Sequence, residues 1–487
     1  MRVAVVSLEV YPFAKVGGLA DVVGALPKAL KRHGVEPIVI MPFHKIVQEN
    51  ARKANVEIKK VVDKVFLPKL KTNEAVSIYK GNLPNSDVPV YFIGNDKYFS
   101  AEMVYGGVDE AEQSIFFSNA VFETLKTLDI QVDVLHANDW QTGLVPVYLK
   151  TVYRYEPFFE RTAMVYSIHN LGYQGIFDKR YLDFAKLGEW LYSMQYLEFY
   201  GNLNFMKGGI VFSDAINTVS PTYAKEIQTE EYGNKLDGVL VSKADVLFGI
   251  LNGIDYSEYD PSKDPRISHH YSAEDYSNKW KVKEDLQKEL GLEVIPDKPI
   301  FALISRLVDQ KGLDILSEII DYMLLYDVQF VLLGTGDPKY EKRFKGIASE
   351  YPGNTSINIT FDVDLAQRIY AGSDFFLMPS LYEPCGLGQM YSMRYGTIPV
   401  VRYTGGLADT VKEYDPATGE GNGFGFKEYS SGELLKAIMR ALFYYRKKEA
   451  HERLIKNAMS TDVSWDKSAI EYIKFYKKSL EIAKGRF

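Results

Sequence analysis

The chain has one cysteine, Cys385, in 487 residues. A single thiol excludes an intramolecular disulfide and a cysteine-built metal site, and it suits a reducing compartment. Histidines number 7, and the two in motif positions, His136 and His169, match no zinc spacing. Basic residues are not in excess: Lys+Arg 57 against Asp+Glu 64 leaves a net charge of −7. That balance argues against nucleic acid or an anionic membrane as the main partner. No apolar stretch approaches the roughly 18 residues that cross a bilayer. The opening "MRVAVVSLEVYPFAK" carries Glu9 inside its apolar run and no small-x-small cleavage site, so it reads as a first strand rather than a secretion signal. Sequons at Asn354 and Asn358 mean little without such a signal. Low-complexity segments are also missing.

What is present is an alternation of short apolar runs with helical stretches. "RVAVVSLEV" is followed by Gly17 and Gly18, then by "LADVVGALPKALKRHG" at helical spacing, then by "EPIVIMPF". This is strand, glycine loop, helix, strand, a βαβ unit with a parallel, doubly buried sheet. "VDVLHAND", "TAMVYSIHN", "AINTVS" and "VLFGILNGID" are further strand candidates. A polar, turn-rich segment over 260–283 precedes a second series: "IFALISR", "VQFVLLGTGD", "NITFDVD", "DFFLMPS" and "TIPVVRY". The expected architecture is α/β, two Rossmann-like domains facing each other across a cleft. Residues 1–253 and 254–458 form the two, and 459–487 is a helix returning to the first.

The chemistry-bearing groups fall at strand ends. Gly17 and Gly18, behind Lys15, suit backbone approach to an anion at a helix start, and equally suit a plain tight turn. "HANDWQ" offers His136, Asn138, Asp139 and Trp140, and "SIHNLG" offers His169 and Asn170. In the second series Arg306 follows a strand and Lys311 comes five residues later. "LYEPCGLGQ" then brings Glu383, Cys385, Gly386, Leu387 and Gly388 before a helix. Two cations beside fresh backbone amides suit a diphosphate. A carboxylate there repels phosphate, so Glu383 suits neutral hydroxyls such as a sugar's. "DVD" at Asp362 reads as a helix start rather than a metal triplet, and "GTGDP" lacks the third glycine of a dinucleotide loop. The pentapeptide GGLAD occurs twice, from Gly17 and from Gly405. The second copy is expected to make a strand–helix turn with Asp409 in the first helical turn.

Taken in order, "KVGGLADVVGALPKAL", "HANDWQTGLVP", "SIHNLGYQG", "INTVSPTYAKEI", "GILNGID", "SRLVDQKGLD", "PSLYEPCGLGQMYSMRYGTIPVVRYTGGLADTV" and "SWD" resemble the bacterial glycogen synthase and plant starch synthase family over nearly the whole chain. The resemblance implies a GT-B fold. It implies glucose transfer from a nucleotide sugar, ADP-glucose before UDP-glucose, to the non-reducing end of an α-1,4-glucan. It further implies retained anomeric configuration, no metal or cofactor, and a cytoplasmic location. By motif position Lys15, Gly17, Gly18 and Asp21 resemble the donor loop, and Arg306 and Lys311 the diphosphate pair. Glu383 resembles the acid on the transferred glucose, with His169, Asp139 and Asn252 as further glucose-site groups. Phe361 falls where a tyrosine often meets the nucleobase, and Cys385, Gly386, Leu387 and Gly388 where the phosphate amides lie. The chain departs from the pattern in three places: Gly388 replaces a threonine or serine, Leu381 and Tyr382 stand where an arginine is common, and Val16 replaces a hydroxyl residue. Three rivals stay open at this point. They are a two-carboxylate hydrolase using Glu383 and Asp139, a non-catalytic glucan-binding module, and a transferase with a small-molecule acceptor.

Overall fold

The structure is a computed structural model that describes residues 1–485. The apolar runs become strands because their β-branched residues fill both faces of a pleated sheet. Val3, Ala4, Val5 and Val6 of β1 (Arg2–Val6) are at most 1% exposed. The remaining strands of the first sheet are β2 (Glu36–Pro42), β3 (Lys59–Phe66), β4 (Ala75–Asn82), β5 (Pro89–Gly94), β6 (Val134–Asn138), β7 (Ala163–Ile168), β8 (Ala215–Thr218) and β9 (Leu247–Gly249). Their order is β9-β8-β7-β6-β1-β2-β5-β4-β3. It is parallel from β9 to β5 and antiparallel across β5, β4 and β3. The antiparallel edge is an addition to the strands expected from sequence. It comes from "KKVVDKVF" and "AVSIYKGN"; β3 is exposed along most of its length, with Val65 its one buried residue.

The second sheet holds β10 (Ile300–Ile304), β11 (Gln329–Leu333), β12 (Thr355–Asn358), β13 (Phe375–Met378), β14 (Ile398–Arg402) and β15 (Phe424–Phe426). Its order is β12-β11-β10-β13-β14-β15, parallel throughout. Here "NITFDVD" needs correcting. The strand ends at Asn358, and Asp362 instead caps the helix Val363–Gly372, accepting from the Leu365 amide at 2.8 Å. Likewise, within "VLFGILNGID" only Leu247–Gly249 joins the sheet, while Ile254 makes an isolated bridge to Ser464.

Two compact units result. One joins Met1–Asn252 to the segment from Trp465 onward, and the other is Gly253–Ser464. Residues 459–464 therefore belong with the second unit, where the Val463 carbonyl accepts from the Ile254 amide. The terminal helix Trp465–Lys484 packs on the helix Gly18–Arg32 and on β7. The last two residues of the expected 459–487 segment lie outside the described residues. In each unit the strand order reverses once, between β1 and β6 and between β10 and β13. Parallel sheets bind ligands at the carboxyl ends of strands beside such a reversal.

Candidate active site

In the first unit the reversal is flanked by the loops after β1 and β6. After β1 the chain turns through Glu9, which is 5% exposed. Its Oε2 accepts from the amides of Val16 at 2.7 Å and Gly17 at 2.8 Å. Its Oε1 accepts from the Tyr105 hydroxyl at 2.6 Å, and Gln141 donates to that hydroxyl at 3.0 Å. Glu9 thus shapes the glycine loop. The sequence reading missed this role, although an acid inside an apolar strand end was its signal. Lys15 donates to Asp21 at 2.7 Å, and burial holds the Asp21 carboxyl above its usual value while Lys15 pulls it back. Gly17 caps the helix that starts at Gly18, and a side chain at Gly17 would meet open space.

After β6, Asp139 has φ 56 and ψ 179. That region is nearly reserved for glycine, and holding another residue there costs about 1–3 kcal/mol. Several bonds hold it. Its amide donates to Ser167 O at 3.0 Å, its carbonyl accepts from Thr142 N at 3.1 Å, and its Oδ1 accepts from the His169 amide at 2.7 Å. Burial pushes the Asp139 carboxyl up to about 7, against the pull of the His169 and Asn170 amides. Burial also takes His169 down to about 3, so its ring is neutral near pH 7. His169 Nε2 lies 2.8 Å from Asn138 Oδ1, an acceptor, so Nε2 carries the proton and Nδ1 is left to accept.

His136 belongs elsewhere. Its ring is 1% exposed, with Nε2 at 2.6 Å from Ser167 Oγ and Nδ1 at 2.8 Å from the Tyr476 hydroxyl. Ser167 donates to Asn217 Oδ1, so His136 Nε2 donates to Ser167 and Tyr476 donates to Nδ1. The histidine fastens the terminal helix to the sheet. Asn252 is 7% exposed with no partner for Oδ1 among the described residues, and it is not bonded to Asp139 or His169.

In the second unit the loops after β10 and β13 are laced together. The Leu381 amide donates to Gln310 O at 2.9 Å, and the Gln310 side chain donates to Tyr382 O at 3.2 Å. This lacing sets Lys311 against Glu383: Lys311 Nζ donates to Oε2 at 2.7 Å, and Ser380 Oγ donates to the same oxygen at 3.1 Å. Glu383 is 6% exposed. Arg306 is exposed, and its guanidinium makes no ion pair or hydrogen bond among the described residues. Cys385 is buried, and Gly386 and Leu387 lead into the helix Gly388–Arg394. A Cβ at Gly388 would lie 2.8 Å from the Phe376 ring, which occupies the room a serine or threonine would need. Phe361 is 81% exposed on the loop after β12, touching none of these groups.

The second GGLAD copy lies beneath this loop. Gly405 has φ +45, and a Cβ there would collide with Glu383 O; one at Gly406 would collide with Cys385 O. The Gly406 amide donates to Glu383 O at 3.2 Å. The helix is Gly405–Thr410, which puts Asp409 near its end rather than in its first turn as expected. Among the described residues no group of three or more His, Cys, Asp or Glu is placed to hold a metal ion. No helix among them is long and apolar enough to cross a membrane.

Each sheet therefore ends at its reversal in polar groups suited to anions and hydroxyls. Comparison with known proteins gives the same direction. The glycogen synthase of Thermosipho africanus is 63% identical over 481 residues, covering 99% of both chains. The glycogen synthase of Thermotoga maritima is 60% identical over 481 residues with the same coverage. The chain belongs to the glycogen and starch synthase family. The family pattern "Starch synthase catalytic domain" matches residues 2–242, and "Glycosyl transferases group 1" matches 285–461. Among solved structures, the catalytic domain of Starch Synthase IV from Arabidopsis thaliana bound to ADP and acarbose has a TM-score of 0.89 at 33% identity over 99% of both chains. Sucrose-phosphate synthase from Thermosynechococcus elongatus, at TM-score 0.60 and 17% identity, shares the fold. As a glycogen and starch synthase family member the chain has the GT-B fold. It is a glycosyltransferase whose substrates are a nucleotide sugar and a glucan.

Proposed function

We propose that the chain transfers glucose from ADP-glucose to the non-reducing end of an α-1,4-glucan, with retained anomeric configuration, in the cytoplasm and with no metal in the reaction. The observation that carries this reading is the Lys311–Glu383 pair, 2.7 Å apart at strand ends beside a reversal. A phosphate meets the ammonium of Lys311 and the unengaged guanidinium of Arg306. A neutral sugar meets Glu383, whose acceptor lone pairs favour hydroxyls. As the bond from the anomeric carbon to the leaving diphosphate breaks, charge builds on the phosphate oxygens. Lys311, Arg306 and the amides of the Cys385–Gly388 segment stabilise that charge. The leaving phosphate takes the acceptor's proton on the same face, so no side chain is assigned as nucleophile. In the first unit Lys15 and the Gly17–Gly18 loop serve the donor, and Asp139 with the neutral His169 ring orients glucose. Asn252 completes the glucose site and Phe361 stacks on the base.

ADP as the donor nucleotide is supported by the 33% identical starch synthase that binds it. The test is a steady-state comparison of ADP-glucose and UDP-glucose with glycogen as acceptor, with and without a chelator. The linkage is read by NMR. We expect a higher kcat/KM for ADP-glucose, new α-1,4 linkages and no chelator effect. A preference for UDP-glucose, a β-linked product or chelator-sensitive turnover would each overturn the corresponding part.

A further inference from the structure

The helix Lys279–Glu289 begins with a buried lysine, which burial takes down to about 7 against the pull of Asp374. Lys279 is 1% exposed. Its Nζ lies 2.8 Å from Ala371 O, 3.0 Å from Ser373 O, 3.1 Å from Tyr395 O and 3.0 Å from Thr397 Oγ1. Three N–H groups face four oxygens, so the charge is shared over the whole set. Backbone carbonyls arranged this way elsewhere hold a bare monovalent cation.

The oxygens come from four different ends. Ala371 and Tyr395 sit at the carboxyl ends of the helices Val363–Gly372 and Gly388–Arg394. Ser373 and Thr397 sit just before β13 and β14. The far ends of these same four elements carry Phe361 and Asp362, the Cys385–Gly388 segment, the Ser380–Glu383 loop, and Gly405 with Gly406. Helix carboxyl ends are where unpaired carbonyls collect and where a cation is favoured. The Tyr271 hydroxyl reaches two of the carbonyls, Tyr395 O at 2.7 Å and Ala371 O at 3.3 Å, but supplies a single proton. Lys283, one turn on, lies apart from the set and pairs with Asp374 at 2.8 Å.

We propose that Lys279 is a positioning residue whose Nζ, held by these four oxygens, fixes the donor-side loops of the second unit through the four elements on which they are mounted. It touches no candidate substrate group. A helix of ten residues, at about 1.5 Å each, separates its end of Val363–Gly372 from Asp362.

The inference rests on the functional reading above, and the assay separates the two. Glucose transfer to glycogen, Tm and donor KM are measured for wild type and Lys279→Ala. Each is measured in ethylammonium chloride and in tetramethylammonium chloride at matched ionic strength. We expect kcat of Lys279→Ala to fall about 10- to 100-fold, the cost of sub-ångström misplacement. Ethylammonium, which can refill the oxygens with an N–H cation, should restore most of it, and tetramethylammonium should not. An unchanged kcat overturns the inference, as does ethylammonium rescue of Tm with no gain in kcat. If Lys279→Ala is not recovered folded, Thr397→Val, which keeps Lys279 and removes one acceptor together with that hydroxyl's own bonds to Tyr370 O and Ser373 O, replaces it. Lower kcat with Tm within a few degrees supports the inference, and wild-type kcat overturns it. A wild type that transfers no glucose from either nucleotide sugar overturns both readings.

Discussion

The ammonium of Lys311 lies 2.7 Å from the Glu383 carboxylate, while Arg306, five residues earlier, engages no side chain among the described residues. The two cations are therefore expected to fail differently. Arg306→Ala should lower kcat/KM about 10²- to 10³-fold, the loss typical of one charge-stabilising donor. Its Tm should not move, because an exposed, unengaged side chain contributes within about 0.5 kcal/mol of stability. Lys311→Ala should lose comparable activity and also several degrees of Tm, since it strips a buried carboxylate of its cation. Calorimetry beside kinetics checks this. Near-normal turnover in either variant would contradict the charge-stabilising role.

The two GGLAD copies predict opposite outcomes for one substitution. Gly17→Ala adds a methyl to open space, so Tm should stay close to wild type and any effect should appear in donor KM. Gly405→Ala puts a methyl into Glu383 O at a positive φ. It should cost folding stability and activity together, by several kcal/mol when steric overlap and backbone strain add. Equal Tm losses in the two variants would refute the asymmetry.

Gly388 and Phe376 form a size pair. Gly388→Ser places its Cβ 2.8 Å from the ring and should destabilise by about 1–3 kcal/mol. Phe376→Leu opens a gap and destabilises as well. The double variant should recover part of both losses, a favourable coupling of at least about 0.5 kcal/mol in a double-mutant cycle. Additive losses would mean that the ring does not exclude the hydroxyl.

Acid stability should be governed by buried histidines. Burial takes His44 and His451 down to about 4, and His136 and His169 to about 3. Below about 6.5 the unfolded chain binds protons that the folded chain refuses. The stabilisation is thus complete above that pH and drains as pH falls toward the folded values. Both ring nitrogens of His451 lack a partner among the described residues, and the ring packs against Tyr445 at 4.7 Å. His451→Phe should therefore raise Tm at pH 5 relative to wild type and change it little at pH 8. An equal shift at both values would assign the effect to packing alone.

The parallel strands were readable because doubly buried sheets are written as near-continuous apolar runs, as in "RVAVV" and "QFVLL". The antiparallel edge was not, because the lysines and Asp63 of exposed β3 break that run. At the candidate site, Lys15, Asp139, His169, Arg306 and Glu383 were visible as polar groups near the ends of apolar runs, and Lys311 as a second cation five residues after Arg306. The service of Glu9 to the glycine loop was not, since it depends on a side chain bending back over seven residues to the Val16 amide. Nor could sequence separate His136 from His169. Both follow apolar residues at strand ends, and only Tyr476, 340 residues away, shows that one of them belongs to the core. Lys279 looked like any helix lysine, because the four oxygens around it come from scattered positions.

The first unit is sewn shut by the last part of the chain: Tyr472 and Tyr476 complete the bonds of Asn217 and His136. During synthesis the second unit, continuous from Gly253 to Ser464, is whole before the first one is. The amino-terminal sheet must wait on the ribosome with His136 Nδ1 and Asn217 Nδ2 lacking these tyrosine partners until the terminal helix emerges. A stop codon before Trp465 would thus wound the fold at its beginning, leaving the unit Gly253–Ser464 whole and the first unit open.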